Sequence, residues 1–278
     1  MLGAIFLFSA MDATAKTLMA RYDPIQVVWA RYAGMMAVVA LVLAPRLGPL
    51  LRTRHIGLQL LRSAFLFAAT YTFFTAISRM DIAAATAVMQ VHPMLLMLGA
   101  AIVLREGLGP RRILGIVAAL TGALIVIRPG SEVFTPAALL PLLAGLFYAS
   151  YALATRFLGR DEPMMTSFLY TAIIGTLVAS AMTVPVWQAP LAWDWAMFLL
   201  LGVIGATGQF LLIRSLTIAE AGAVAPFSYA GVIFATCWGY FAFDEFPDAL
   251  SLLGALVIVG AGVYVWYRET RARPVTPA

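Results

Sequence analysis

The chain has 278 residues, 63% of them hydrophobic and only 11% charged, with a mean hydropathy of +0.93. A soluble domain is about half apolar and about a quarter charged, so the polar residues here cannot cover a globular surface, and the chain reads as an all-α integral membrane protein. The pI of about 9.6 comes from arginines in short gaps between apolar runs, a distribution of topology signals and not a nucleic-acid-binding stripe.

Crossing a hydrocarbon core of ~30 Å takes about 20 helical residues. Ten runs meet this length, at 2–20, 25–44, 57–78, 82–103, 112–128, 137–157, 164–184, 195–214, 221–243 and 249–267. The first has no basic residue ahead of it, which argues against a secretory leader. The absence of polar residues before it points to a trimmed N-terminus. Ser9, Asp12 and Lys16 recur on it at i, i+3 and i+7 and share one face. Lys16 is the sole lysine of the chain. A charge within a span costs roughly 2.5–3.5 kcal/mol on insertion scales and is a functional suspect; Asp12 and Lys16 are expected to pair across one turn. The plainer alternative is a neutralised pair that only packs.

The second run carries Arg31 near its start, where the side chain can snorkel to the interface or gate. The third offers Thr70 and Tyr71. The fourth places Thr86, Gln90 and Pro93 on one stripe. Gln90 and His92 lie roughly 200° apart around a helix, so both face one cavity only if Pro93 distorts the turn. A proline removes the backbone bond to residue i−4, here the carbonyl of Met89, and a freed carbonyl beside a cavity can bind substrate. Pro226 does the same to Gly222 in the ninth run. Pro93 and Pro226 are therefore hinge candidates. The sixth run contributes Tyr148, Tyr151 and Thr155, the eighth Gln209 and Phe210, the ninth Tyr229 and Trp238. Together these predict a cavity of hydroxyls, amides and aromatic rings suited to a bulky amino acid, or to a cationic drug through cation–π attraction. A cation–proton antiporter would use Asp12, but a neighbouring Lys16 would hold that carboxylate ionised. A phosphate-bearing substrate would demand several buried cations, and Lys16 and Arg31 are the two that the spans supply. Gly115 and Gly122 in the fifth run, with Gly254 and Gly262 in the tenth, predict close helix packing that joins the two ends of the chain away from the cavity.

Loops on the side of the termini hold Arg46, Arg52, Arg54, Arg105, Arg111, Arg112, Arg156, Arg160 and Arg214, with Arg268, Arg271 and Arg273 in the tail; opposite loops hold only Arg21, Arg79 and Arg128. The positive-inside rule places both termini in the cytoplasm. Trp187, Trp193 and Trp195 then belong to the interfacial aromatic belt of the other side. Sliding the chain by 139 residues aligns Phe8 with Phe147, Arg21 with Arg160, Pro24 with Pro163, Glu106 with Glu245 and Gly115 with Gly254. The chain therefore divides into five-helix halves at 1–135 and 136–278, inverted because five is odd. Inverted repeats about a midplane site are the architecture of secondary transporters working by alternating access. Glu106 and Glu245, each beside another charge at a span end, read as structural.

The stretches VLREGLGPRRILGIVAALTGALIVI (103–127) and FAFDEFPDALSLLGALVIVGAGVYV (241–265) resemble the repeated signature of the EamA family of the drug/metabolite transporter superfamily. FFTAISRMDIAAATAVMQVHPMLL (73–96) resembles its third-to-fourth span junction, and WARYAGMMA (29–37) its second span. The resemblance implies ten spans, cytoplasmic termini in a bacterial inner membrane, a cavity among spans 1, 3, 4, 6, 8 and 9, and carriage of small polar metabolites, often export of amino acids. The branch it most resembles is that of the aromatic amino-acid exporters. No cofactor or metal is expected. Cys237 is the sole cysteine, which excludes an intrachain disulfide and a cysteine-based metal site. The expected partners are a small-molecule substrate and membrane lipid, with no nucleic acid and a monomer as the plain expectation. Nucleotide, zinc-protease and serine-hydrolase motifs are missing, which argues against an enzyme. The polar stripes are too short for a channel.

Overall fold

A computed structural model describes residues 1–43, 47–104, 109–131, 134–158, 162–218 and 225–272. Arg46, Arg105, Glu106, Arg160, Gly222 and Arg273 lie outside the described residues.

The described residues form helices joined by short turns and irregular segments. In order come α1 (Leu2–Met19), α2 (Pro24–Leu43), the single turn α3 (Leu47–Leu50), α4 (Ile56–Ile77), α5 (Ile82–Met89), α6 (His92–Leu104) and α7 (Pro110–Ile127). A 3-10 turn at Pro136–Leu139 feeds α8 (Leu140–Leu158). Then follow α9 (Met164–Thr183), α10 (Ala192–Ile218), a 3-10 segment at Ala225–Tyr229, α11 (Ala230–Phe243) and α12 (Ala249–Ala272). Among the described residues nine segments are long and apolar enough to cross a membrane, α5 and α6 counting together as one from Ile82 to Val103. The run expected at 221–243 is represented by the 3-10 segment and the 14 residues of α11, too short alone for a ~30 Å core.

Local chemistry sets the ends. Pro24 and Pro110 each open a helix where a missing amide costs nothing, and Asp23 Oδ1 accepts from Ile25 N at 2.9 Å ahead of α2. Arg128 closes α7 in the left-handed region at φ 51°, its amide bonded to Leu124 O at 2.8 Å. Its guanidinium holds the Asp248 carboxylate at the head of α12, and that bond keeps Asp248 below the usual carboxylate range. Within the spans, several threonine hydroxyls are satisfied by their own helix: Thr14 donates to Ala10 O at 2.8 Å, Thr75 to Tyr71 O at 2.7 Å and Thr236 to Val232 O at 2.8 Å. This back-bonding lets a threonine face an apolar neighbour without an orphaned donor.

The main packing lines run between α7 and α12, α4 and α8, α1 and α10, and α2 and both α9 and α10. Two crossings are set by glycine pairs. A Cβ on Gly34 of α2 would lie 2.6 Å from Gly202 Cα of α10, and one on Gly254 of α12 would lie 2.6 Å from Gly122 O of α7. Gly115 belongs to the same α7–α12 seam, facing Val265. Gly262 departs from the expectation: it meets the Tyr229 ring and lines the central cavity. Leu41, Val184, Leu256 and Phe241 are exposed on the outer faces, as lipid-facing residues must be. Trp187 stands edge-on to Trp29 at 5.1 Å and tilted against Trp195 at 6.4 Å, an aromatic cluster between α9 and α10.

Replacing Gly254 by Ala pushes α12 off α7. The expected loss is about 1–3 kcal/mol of stability, read as a lowered unfolding midpoint of the purified protein, whereas Ala at Gly48, which has open space around it, leaves the midpoint unchanged.

Candidate functional site

A cavity of about 610 Å³ occupies the middle of the bundle. Met1, Leu212 and Trp266 line it, so it reaches the end of the bundle where α1 starts and α12 finishes. Along α1 the lining runs from Met1 to Asp12 and stops. Beyond that depth Ala13, Ala15 and Leu18 are buried in packing, and the opposite end is closed.

The polar lining is assembled from seven segments, the α5–α6 junction counting as one. α1 supplies Ser9 and Asp12, α2 Arg31, and α4 Thr70; the α5–α6 junction supplies Thr86, Gln90, His92 and Pro93. α8 adds Tyr148 and Tyr151, α10 Gln209, and the 3-10 segment Pro226 and Tyr229. Ser9 Oγ is buried with no protein partner among the described residues, so a polar atom stands free at the wall. The helix does not bend at Pro93 but breaks: α5 ends at Met89 and α6 starts at His92, and this is how both Gln90 and His92 reach one cavity. The Met89 carbonyl that Pro93 releases is not left open to a ligand. His92 Nδ1 donates to it at 3.1 Å, which fixes the ring tautomer with Nε2 as the remaining acceptor. Gln90 Nε2 donates to Ser228 O at 2.7 Å, tying one broken helix to the other. His92 and Tyr148 meet edge-to-face at 4.8 Å, and Tyr148 and Tyr151 lie 5.5 Å apart.

Three residues expected in the cavity lie elsewhere. Lys16 does not pair with Asp12: its Nζ bonds Glu245 Oε2 at 2.7 Å and Met80 O at 2.8 Å, with the Phe243 ring 5.3 Å away. It shares a helix face with Asp12 but sits one turn deeper, level with the acid at the end of α11. Tyr71 stacks parallel to Phe67 at 6.4 Å, because Thr70, one residue and about 100° away, takes the inward position. Trp238 packs against Phe6 at 6.1 Å. Arg31 also departs from the expected snorkelling: it points inward, its Nη1 donating to Thr70 Oγ1 at 2.8 Å between the Tyr32 and Phe74 rings. Arg31, not Lys16, shares the cavity wall with Asp12.

The structure adds a cation that the sequence reading passes over. Arg62 of α4 is 5% exposed. Its Nε donates to Thr155 Oγ1 at 2.7 Å, Nη1 to Ser167 O at 3.0 Å and Thr171 Oγ1 at 2.8 Å, and Nη2 to the Tyr151 hydroxyl at 2.8 Å. An arginine well inside the 57–78 run, belonging to no loop, is the signal that marks it. With Arg31 it lines a side cavity of about 200 Å³ that shares Tyr148, Tyr151 and Gln209 with the larger one.

The closed end is laced by polar contacts in two layers. The first is Lys16 with Glu245 and Met80 O, where Glu245 Oε2 also accepts from Ile82 N at 3.3 Å. The second is the buried Asp194 carboxylate, which takes both a 2.7 Å bond from the Tyr22 hydroxyl and 3.2 Å contacts from Arg21. Beside it, Gln26 and Gln188 exchange bonds of 2.7 and 3.0 Å.

A bundle that is apolar outside, with a polar chamber open at one end and sealed at the other, defines a multi-pass membrane protein built to admit a small molecule. Residues 1–128 and 135–267 each match the EamA-like transporter family. The chain belongs to that family and is a transporter of the drug/metabolite superfamily. It is similar to the S-adenosylmethionine uptake transporter of Rickettsia bellii, at 26% identity over 95% of this chain and 91% of that one. It is also similar to a riboflavin transporter of Brucella anthropi, at 28% over 79% and 80%, and to a pseudopaline exporter of Pseudomonas aeruginosa, at 28% over 93% and 91%. A crystal structure at 19% identity superposes with a TM-score of 0.69 over 98% of this chain and 96% of its own, a likeness of fold.

Arg62 joins α4 to α8 and α9 from inside the bundle. Arg62→Met strands four neutral acceptors and is expected to lower stability by about 2–4 kcal/mol, seen as a lowered unfolding midpoint, with Arg62→Lys intermediate.

Proposed function

We propose that the protein is a secondary transporter of the bacterial inner membrane that exports amino acids, or close amino-acid derivatives with a bulky or aromatic part, by alternating access. The observation that carries this reading is the pairing of opposite charges in one chamber, Asp12 on α1 and Arg31 on α2. A zwitterionic head group fits between a carboxylate and a guanidinium, and Tyr148, Tyr151 and Tyr229 offer ring faces to the rest of the molecule. S-adenosylmethionine, the substrate named for one relative, is itself an amino acid carrying a flat ring system. The two cavity arginines weigh against a cationic drug. They now supply the positive charge that the sequence reading assigned to Lys16.

The same proposal includes ten spans in two inverted halves at 1–135 and 136–278. Two features support it. The family match occurs twice, with one stretch in each half. The helix break at Gln90 and the end of the 3-10 segment at Tyr229 fall 139 residues apart, the offset of the repeat. With the termini in the cytoplasm, as the arginine distribution supports, the chamber faces the cytoplasm and loads from there, which suits export. The Lys16–Glu245 layer then is the outer gate.

Proteoliposome transport of labelled amino acids, with and without a pH gradient, tests the reading; movement of aromatic or bulky amino acids is expected. Efflux of cationic dyes with no amino acid moved is the result that sinks it. The gate has its own test. In a Cys237→Ala background, Ser9→Cys is expected to react with an impermeant maleimide only from the side of the termini. Adding Lys16→Ala removes the partly buried ion pair with Glu245, and reactivity from the opposite side is expected to rise at least about fivefold, the lower end of a typical coupling between two states. Unchanged sidedness makes the pair a packing element.

A further inference from the structure

Resting on the transporter reading above, we infer that the side cavity between Arg31 and Arg62 is an anion subsite that receives the carboxylate of the substrate, with Arg31 making the contact and Arg62 positioning the pocket. Both guanidiniums line this cavity, and so does Tyr148. No carboxylate lines it. Glu162, beyond the neighbouring turn of α4, spends its oxygens on Thr53, the Arg54 amide and Gln59. Asp12, near Arg31, belongs to the larger chamber. The side pocket therefore carries two cations and no anion of its own among the described residues. Holding buried charge without a counter-ion is unfavourable by several kcal/mol unless hydrogen bonds or a ligand offset it.

The two arginines differ in what they have left to give. Arg62 donates to four neutral acceptors and stacks over the Tyr151 ring at 4.5 Å, so it is a fixed source of positive field. Arg31 has a single hydrogen bond among the described residues, from Nη1 to Thr70. Its Nε and Nη2 edge has no hydrogen-bond partner among the described residues. One open guanidinium edge with a second positive charge behind it matches a planar, singly charged carboxylate, which binds such an edge through two parallel bonds. A phosphate chain would need more open donors than this, and more room than about 200 Å³. The bulky remainder of the ligand extends past Tyr148 and Tyr151 into the larger chamber.

The purified full-length protein in nanodiscs tests this with four probes: L-phenylalanine, 3-phenylpropionate, L-phenylalaninamide and phenethylamine, read by the shift of the thermal unfolding midpoint with concentration. The two carboxylates are expected to stabilise the protein and the amide and amine to do so at least about tenfold less effectively. Arg31→Gln is expected to raise the half-maximal concentration of both carboxylates by about 30-fold, with partial recovery in Arg31→Lys. Arg62 is not used, because its loss is expected to lower the same unfolding midpoint by which binding is read. Equal stabilisation by phenylalanine and its amide, no stabilisation by either carboxylate, or Arg31→Gln binding as the parent does, each overturns the subsite. The broader reading fails differently: Arg31-dependent binding of 3-phenylpropionate without transport of any amino acid leaves the subsite standing and removes the amino-acid substrate.

Discussion

Arg62 is the charge around which the interior is arranged. A guanidinium placed among apolar helices has no water to solvate it, so its hydrogens must meet protein acceptors. Here those acceptors come from two other helices: Thr155 and the Tyr151 hydroxyl on α8, Ser167 O and Thr171 on α9. The demand of one side chain thus fixes the relative height of α4, α8 and α9. It also orients Tyr151, whose ring and hydroxyl both serve Arg62. Tyr148, one turn away, is carried with it against His92. Two of the aromatic walls of the chamber are in this sense consequences of satisfying a cation outside its main volume.

The same requirement explains where regular helix is given up. Breaking a span exposes backbone groups that lipid cannot satisfy, so a break is tolerated only where protein or a cavity takes them. At Gln90–Val91 the released Met89 carbonyl goes to His92 Nδ1, and the Gln90 side chain crosses to Ser228 O. The second break, at Ala225–Tyr229, is therefore bonded to the first. Each supports the other, and the pair can change shape only together.

Much of this was legible in the sequence, for identifiable reasons. Nine spans follow from hydropathy because a ~30 Å core imposes a length on any helix that crosses it; the run at 221–243 is described only from Ala225, as the 3-10 segment and α11. Thr86, Gln90, Tyr148 and Gln209 were reachable as polar residues on inward stripes. Helical periodicity gives azimuth but not depth, and that is why Lys16 was grouped with Asp12 when its ammonium group belongs to the layer of Glu245 a turn away. Azimuth also fails at its own resolution: Thr70 and Tyr71 are adjacent, and only packing against Phe67 decides which one turns inward. Arg62 eluded a reading that counted arginines in the loops, because it belongs to none and its head group is buried among hydroxyls.

The two ends of the chamber are built on different principles, and the difference bears on which one yields. At the rim, Leu212, Val265 and Trp266 contribute mostly apolar surface, which resists opening through area alone and gives no directional bond to break. At the sealed end the contacts are charged and angular: Lys16 is 12% exposed and Glu245 25%, while Asp194 is 2% exposed beneath an Arg21 that is 62% exposed. Separating the Asp194 layer would leave a buried carboxylate without its tyrosine, a far greater penalty than parting the half-wetted Lys16–Glu245 pair. Any opening of that end is therefore expected to hinge about the α1–α10 contact at Asp194 and to part first where α1 meets α11, so that α11 and the start of α5 swing away from Lys16 while α1 and α10 move as one.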